Sequence, residues 1–405
     1  MVSHKVLCWD CGAEIEDPFL SECPKCKGLL TIKLDLEKVK EKRPEDLRNR
    51  PMGVWRYSDF LPVDPGHKVS IQEGGTPLYK TDALAEIAGV RNMHIKFEGL
   101  NPTGSFKDRG MTVGVSRAKE LGAEVVGCAS TGNTSASLAA YAAKAGMKCA
   151  VFLPSGNVAA GKLAQALFYG AKVLSIDGNF DDALELARKM SEQRKLYLLN
   201  SINPYRPEGQ KSVLFEIMDQ LEYNIPDRIV LPVGNAANIW AVYKALTELE
   251  EVGWIDKMPM LTGIQAEGAS PVARAFGSNK KDFIPVDNPE TLATAIRIGN
   301  PVSGRKALAA IYNTGGHSAT VTDEEIIDAQ KMIARNEGVF VEPASAASVA
   351  GILKLRKAGI IDKDETVVAI CTGNGLKDPE TAVKYSERPL DCANSVEDVE
   401  RLLSF

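Results

Sequence analysis

The chain has 405 residues, 44% of them hydrophobic and 25% charged, with a net charge of −5. That is room for two or three domains with a sizeable core, and the mild acidity excludes a general attraction to polyanions. No run of about 18 apolar residues occurs, so no membrane span is expected; the opening MVSHKVLCWDCG lacks the order of a secretion signal, and a cytoplasmic protein is expected.

In chain order the first feature is a cysteine cluster. Four of the eight cysteines form two C-x-x-C pairs, Cys8-Trp-Asp-Cys11 and Cys23-Pro-Lys-Cys26, eleven residues apart. Four thiolates so spaced can close around one tetrahedral Zn²⁺ with no position left for catalysis. Residues 1–32 are therefore expected to be a zinc-ribbon-like unit in which Cys8, Cys11, Cys23 and Cys26 hold structural zinc. Gly12 and Gly28, after each pair, are the expected turning points. Free thiols or a redox dithiol are the alternatives. A ribbon can also bind nucleic acid, but Lys5, Lys25 and Lys27 face Asp10, Glu14, Glu16, Asp17 and Glu22, so no basic patch forms and no nucleic-acid partner is expected.

Residues 33–70 open with KLDLEKVKEKRPEDLRNR, dense in both signs of charge, and are expected to be a solvated linker or helix. From about residue 94 short apolar runs alternate with helical stretches: HIKFEG, EVVGCAS, KCAVFLP, KVLSIDG, LYLLNSIN, RIVLPVGN, MLTGIQAEG, VFVEPAS and TVVAICTGNG are the expected strands. This rhythm predicts an α/β fold with parallel, doubly wound sheets. A lysine-bearing N-terminal α/β domain is expected over 71–200 and a C-terminal α/β domain over 201–405. Cys128 and Cys149 fall in strand-like runs and read as buried, inert thiols. Polar loops stand at strand–helix junctions, where such sheets bind ligands: STGNTS at 130–135, VGNAAN at 233–238 and CTGNG at 371–375. No G-x-G-x-x-G follows a strand, so a nicotinamide dinucleotide is disfavoured.

The stretch GLNPTGSFKDRG at 99–110 approaches a P-loop, but Lys107 comes two residues too late for one. A lysine in the first turn of a helix faces the positive end of the dipole, and partial burial further favours its neutral, nucleophilic form. Position alone favours the plainer reading, a solvated surface lysine. The neighbouring loops offer helix N-termini suited to a phosphate and a carboxylate.

Together NPTGSFKDRG, ASTGNTSAS, NSINPYRPEGQK, LPVGNAAN, AICTGNGLKD and EGGTPL resemble the threonine synthases, pyridoxal-phosphate enzymes of the tryptophan-synthase β-like fold (fold type II), over roughly residues 70–380. The resemblance implies that Lys107 forms the Schiff base and that Phe106 walls the cofactor. Asn133 would bond the ring oxygen, Thr372 the pyridine nitrogen, and Gly234, Asn235, Ala236 and Ala237 the cofactor phosphate. Ser130, Thr131, Gly132 and Thr134 would surround the substrate carboxylate. Asn200, Ser201, Arg206 and Asn238 would hold the phosphate of O-phosphohomoserine. Arg206 alternatively braces the next helix through Glu208. Arg297, His317 and Lys377 read as surface residues. A homodimer is implied. Competing functions are a cysteate synthase-like or threonine dehydratase-like lyase, and a zinc-dependent binding module without catalysis.

Overall fold

The computed structural model describes residues 2–130, 132–155, 160–178 and 180–403, for residues 160–162 and 180–181 the backbone only. Two short antiparallel strands, β1 (His4–Cys8) and β2 (Leu30–Leu34), frame the cysteine segment. Ten more strands follow: β3 (Leu78–Lys80), β4 (Asn92–Phe97), β5 (Val125–Ala129), β6 (Lys148–Pro154), β7 (Lys172–Ile176), β8 (Tyr197–Leu198), β9 (Arg228–Pro232), β10 (Met260–Ala266), β11 (His317–Val321) and β12 (Thr366–Cys371). They form a six-stranded sheet, β11-β10-β9-β12-β4-β3, and a four-stranded sheet, β7-β6-β5-β8. Every pairing in both is parallel except β3 with β4.

Alternation along the strands shows why both faces are covered. Ile229, Leu231, Val368 and Ile370 join one core, against Phe215, Ile239, Leu246 and Leu308. Val230, Val367, Ala369 and Cys371 join the opposite one, against Ile326, Ile333, Val349 and Ile352. Neighbouring residues of a strand point to opposite faces, and both are apolar here, as a doubly wound sheet requires.

The order of strands places the site. From β9 the chain runs outward to β10 and β11, while β12 lies on the other side of β9; from β5 it runs to β6 and β7, while β8 lies on the other side of β5. Each sheet therefore has one point where the winding reverses, and ligands bind at such points. The loops after β9 and β12 meet at one reversal, those after β5 and β8 at the other.

Four expectations differ from the structure. Residues 33–70 are not simply a solvated linker: Leu36, Val39, Leu47, Val54, Phe60 and Leu61 are buried in the first of these cores, because the charged residues between them cover only the outer side. VFVEPAS is not a strand: Val341 makes one isolated bridge to Asn374, and Pro343 opens the helix Pro343–Lys357. Proline suits the first helical turn but donates nothing to a sheet. β3 and β11 are strands where none was expected. β4, preceding the lysine, pairs with β12 in the large sheet, so the chain leaves that sheet, builds the small one, and returns.

Candidate active site

Lys107 is the first residue of the helix Lys107–Glu120. The loop before it lies along the loop after β12: Phe106 N–H donates to the Thr372 carbonyl (3.0 Å) and Asn374 N–H to that of Gly104 (2.9 Å). Gly104 has φ of 85°, a turn that glycine makes at low cost. The half-buried Lys107 amine has no hydrogen-bond partner among the described residues and sits 4.2 Å from the Phe106 ring centroid. Burial pushes it down to about 7; the Arg206 guanidinium acts the same way, and Glu342 opposes both.

Arg206 lies on the short helix Tyr205–Gln210, buried, with Nε unpartnered. Burial lowers it to about 10. The bracing role through Glu208 is not what the structure shows. Glu208 instead pairs with Lys211 at 2.6 Å and Lys244 at 3.1 Å, and Arg206 has no carboxylate partner among the described residues. Asn238, at the start of the helix Ala237–Glu251, is buried with both amide atoms unpartnered. A buried polar group without a partner costs on the order of 1–3 kcal/mol, so a guanidinium edge and an amide left open in one cavity mark a place for a ligand.

The loop between β9 and that helix is shaped as a cradle. Ala236 is left-handed, with φ of 68°, and the helix start has no side-chain cap, so its first N–H groups stay open. A Cβ on Gly234 would lie 3.1 Å from the Ala295 carbonyl oxygen. Asn235 faces inward but spends its side chain on the Val302 N–H (3.3 Å), pinning the loop.

After β5, Ser130, Gly132 and Thr134 reach the same cavity, around the start of the helix Asn133–Ala145. Thr131 lies outside the described residues. Asn200 is in the wall, yet its amide is matched twice to the Ala129 backbone, at 2.8 and 3.0 Å, so it fixes the end of β5; Ser201 beside it is less enclosed. Asn133 donates to Glu342 Oε2 at 3.1 Å. The Thr372 hydroxyl lies 3.1 Å from Ser345 Oγ and 3.4 Å from Glu342 Oε1.

All these groups open into one cavity of about 1210 Å³ between the two sheets. Sequence reasoning missed several of its walls. Glu342, Gln210, Arg297 and Lys377 line it. Reading Lys377 as an ordinary surface residue is therefore corrected, whereas Arg297 is exposed at the edge of the cavity. Lys377 Nζ donates to the Thr103 carbonyl (3.2 Å) and to Gln165, on a helix of the small sheet, and so clasps the two halves together. His317 lies elsewhere, edge-on to Phe276 at 5.0 Å. A weaker signal for Glu342 was present: Glu-Pro opens a helix, as the other site loops do, although no strand precedes it.

The cavity offers what a phosphorylated pyridine aldehyde needs: an amine whose neutral form is favoured, an uncapped helix start beside a glycine, and open polar groups around them. The family described as "Pyridoxal-phosphate dependent enzyme" matches residues 69–373. A curated threonine synthase of Methanocaldococcus jannaschii is 57% identical over 399 residues, covering 98% of each chain, and one of Methanosarcina acetivorans is 58% identical over 394 residues, covering 95% of each. The chain belongs to the threonine synthase family of pyridoxal-phosphate enzymes. Its fold is shared more widely. A threonine deaminase from Solanum lycopersicum superposes with a TM-score of 0.67 at 21% identity, covering 82% of this chain and 89% of that one. A maize serine racemase gives 0.66 at 22%, covering 76% and 90%. The threonine synthase family thus carries its chemistry on a fold-type II scaffold.

The second cluster lies in the N-terminal cysteine segment. The Sγ atoms of Cys8, Cys11, Cys23 and Cys26 are all within 4.8 Å of one another, with Cys8–Cys26 at 3.4 Å and Cys11–Cys23 at 3.8 Å. Tetrahedral Zn–S bonds of about 2.3 Å imply edges near ~3.8 Å, so the thiols fit that ion. Gly12 makes the first turn at φ 71°, but Lys27 at φ 61°, rather than Gly28, makes the second; a Cβ on Gly28 would run into the Asp10 carboxylate.

Proposed function

We propose that this chain converts O-phospho-L-homoserine and water into L-threonine and phosphate, with pyridoxal phosphate held by Lys107, Asn133, Thr372 and the Gly234–Ala237 loop. The observation that carries the substrate reading is Arg206, a buried cation with no carboxylate partner among the described residues, sharing a cavity with a lysine pushed down to about 7. A phosphate ester answers Arg206, whose planar fork can make paired bonds. An unphosphorylated hydroxy-amino acid leaves it unused, which disfavours a dehydratase.

Bound pyridoxal phosphate supplies the electron sink that makes the α- and β-hydrogens acidic enough to remove. The rest falls to the chain's own groups. An ordinary lysine amine is neutral in only about one molecule in 3,000 at pH 7, whereas one near 7 is neutral in about half. The Lys107 amine, once released, is the base that takes the α-proton and later returns a proton. Ser130, Gly132 and Thr134 hold the substrate carboxylate, and Phe106 walls the ring. Arg206 and Asn238 hold the γ-phosphate as it leaves, with Ser201 beside them. Water enters at the β-carbon only afterwards, so the Lys377–Gln165 clasp is suited to excluding it early.

Purified protein with pyridoxal phosphate and O-phospho-L-homoserine tests this. Threonine and phosphate are expected in equal amounts, with none from Lys107→Ala. Arg206→Ala is expected to lower kcat/KM by about 10², the scale of losing one buried charged contact of about 3 kcal/mol. Turnover of O-phospho-L-serine alone would favour the shorter-chain lyase.

The same proposal includes structural zinc at Cys8, Cys11, Cys23 and Cys26, a homodimer, and a cytoplasmic location. The thiol geometry supports the first, and the family resemblance supports the other two.

A further inference from the structure

Eight carboxylates are buried among the described residues, and they differ in how their charge is met. Glu98, Glu208, Glu216, Glu248 and Glu365 pair with Lys or Arg. Glu73 accepts from Ser70, Ile71 N–H and Tyr141 at 2.8–3.0 Å. Asp108 accepts from Thr103 twice and from Ser137 at 2.6–2.7 Å. Glu342 alone has neither an ion pair nor a short hydrogen bond. It is 4% exposed, and its two contacts are Asn133 Nδ2 at 3.1 Å and Thr372 Oγ1 at 3.4 Å. Burying a charge so weakly compensated is expensive, and a residue serving the fold alone gains nothing from it.

The backbone is arranged to keep the carboxylate there. Glu342 N–H donates to the Gly373 carbonyl at 3.0 Å, Val341 bridges Asn374, and Pro343 starts the helix behind. A Cβ on Gly373 would lie 2.6 Å from the Glu342 carboxyl, so only glycine leaves room for the carboxylate over the end of β12. The two contacts come from different sheets: Asn133 follows β5 and Thr372 follows β12.

We propose that Glu342 is a positioning residue for the reaction, one carboxylate that sets the Asn133 amide and the Thr372 hydroxyl against the cofactor ring from opposite halves of the cavity. This rests on the roles proposed above for those two side chains. Holding one N–H of the Asn133 amide fixes which way the amide faces and leaves the second N–H for the ring oxygen. While ionised, Glu342 is also the strongest acceptor open to the Thr372 hydroxyl. Its charge has a further effect, because Lys107 and Lys377 both interact with it electrostatically; Arg206 also acts on Lys107, and Asp108 on Lys377. A negative charge there favours the protonated form of the Lys107 nitrogen.

Glu342→Gln and Glu342→Asp in the cofactor-loaded enzyme test the proposal. Glu342→Gln keeps the shape and removes the charge. We expect wild-type far-ultraviolet circular dichroism and cofactor content, KM for O-phospho-L-homoserine within about threefold, and kcat lower by about 10², the scale of a small misplacement of reacting groups. The visible band of the bound cofactor should titrate at lower pH than in the wild type. Glu342→Asp keeps the charge but shortens the reach, so its band should titrate as in the wild type while kcat still falls at least about tenfold. A Glu342→Gln band that titrates unchanged overturns the proposal, whatever the turnover. If Glu342→Gln fails to fold, wild-type kcat in Glu342→Asp overturns it. The band shift needs no substrate, so an error in the assigned substrate would show separately, as a wild type that makes no threonine.

Discussion

Lys107 and Arg206 sit in one cavity; burial lowers both, and the Arg206 guanidinium lowers the lysine further. The lysine yields because an ammonium can shed its proton, while a guanidinium keeps its own. This gives a prediction that can be read without substrate. Capture of pyridoxal phosphate by the cofactor-free protein needs the neutral amine, so its rate should rise as pH passes through about 7 and level off above. A rate still climbing toward pH 10 would mean an ordinary surface lysine. At this scale the sequence disclosed much. Lys107, Asn133, Arg206, Asn238 and Thr372 all stand in short polar motifs at strand ends. It did not disclose that the Asn200 amide is spent on the Ala129 backbone, or that Lys377 reaches the small sheet, because both depend on contacts between segments far apart in the chain.

What sets the distance between those cations is how closely two helices approach. Lys107–Glu120 presents Gly110 and Gly114 to Tyr205–Gln210 and its approach: a Cβ on Gly110 would lie 3.1 Å from the Arg206 carbonyl oxygen, and one on Gly114 2.6 Å from Leu199 Cδ2. From the other side, a Cβ on Gly209 would run into the Arg109 carbonyl oxygen. Gly209→Ala should therefore push the Arg206 helix away and destabilise the protein by about 1–3 kcal/mol, as overpacking does. In the protein that still folds, KM for the phosphorylated substrate should rise more than the affinity for cofactor falls. Equal loss of both would argue against this helix pair as the spacer. The glycines were visible in GMTVGVS and PEGQK, but which helix each one faces was not.

The N-terminal cysteine segment touches both sheets. Toward the small sheet, Glu22 pairs with Arg188 at 2.9 Å and Phe19 packs edge-on to Tyr197. Toward the large one, Asp10 pairs with Arg305 at 2.7 Å, Lys306 donates to the Leu30 carbonyl at 3.0 Å, and Trp9 packs against Trp240, on the helix that opens with the proposed phosphate loop. His4 meets the Tyr205 hydroxyl at 3.1 Å, beside Arg206. Removing zinc with a thiol-directed reagent should release one ion per chain and lower Tm by about 5 °C, the scale of roughly 4 kcal/mol in a chain this large. Four thiols that react freely with no metal released would exclude the zinc centre.

Across the whole molecule, the reversals of winding in the two sheets face one cavity, and charge is buried behind it. Lys96, Arg109, Glu98 and Glu216 are fully enclosed, with Arg109 two residues after Lys107, 2.5 Å from Glu98 and 2.7 Å from Glu216. Although burial pushes the other way, Arg109 and Lys96 hold Glu216 down to about 2. Two cations and two anions leave no net charge to disturb the site, and breaking such a set costs about 3–5 kcal/mol. The alternating rhythm of strands and helices disclosed the doubly wound sheets. The return of the chain to pair β12 with β4 it did not, since a parallel neighbour leaves no mark on a strand's own residues.

The central claim is the order of events in the cavity, phosphate leaving from carbon before water arrives at the next carbon. The most direct test is turnover of O-phospho-L-homoserine in ¹⁸O-labelled water. We expect one labelled oxygen in the threonine hydroxyl and none newly introduced into phosphate. Label in phosphate, with homoserine as the organic product, would mean attack at phosphorus and would contradict the assignment.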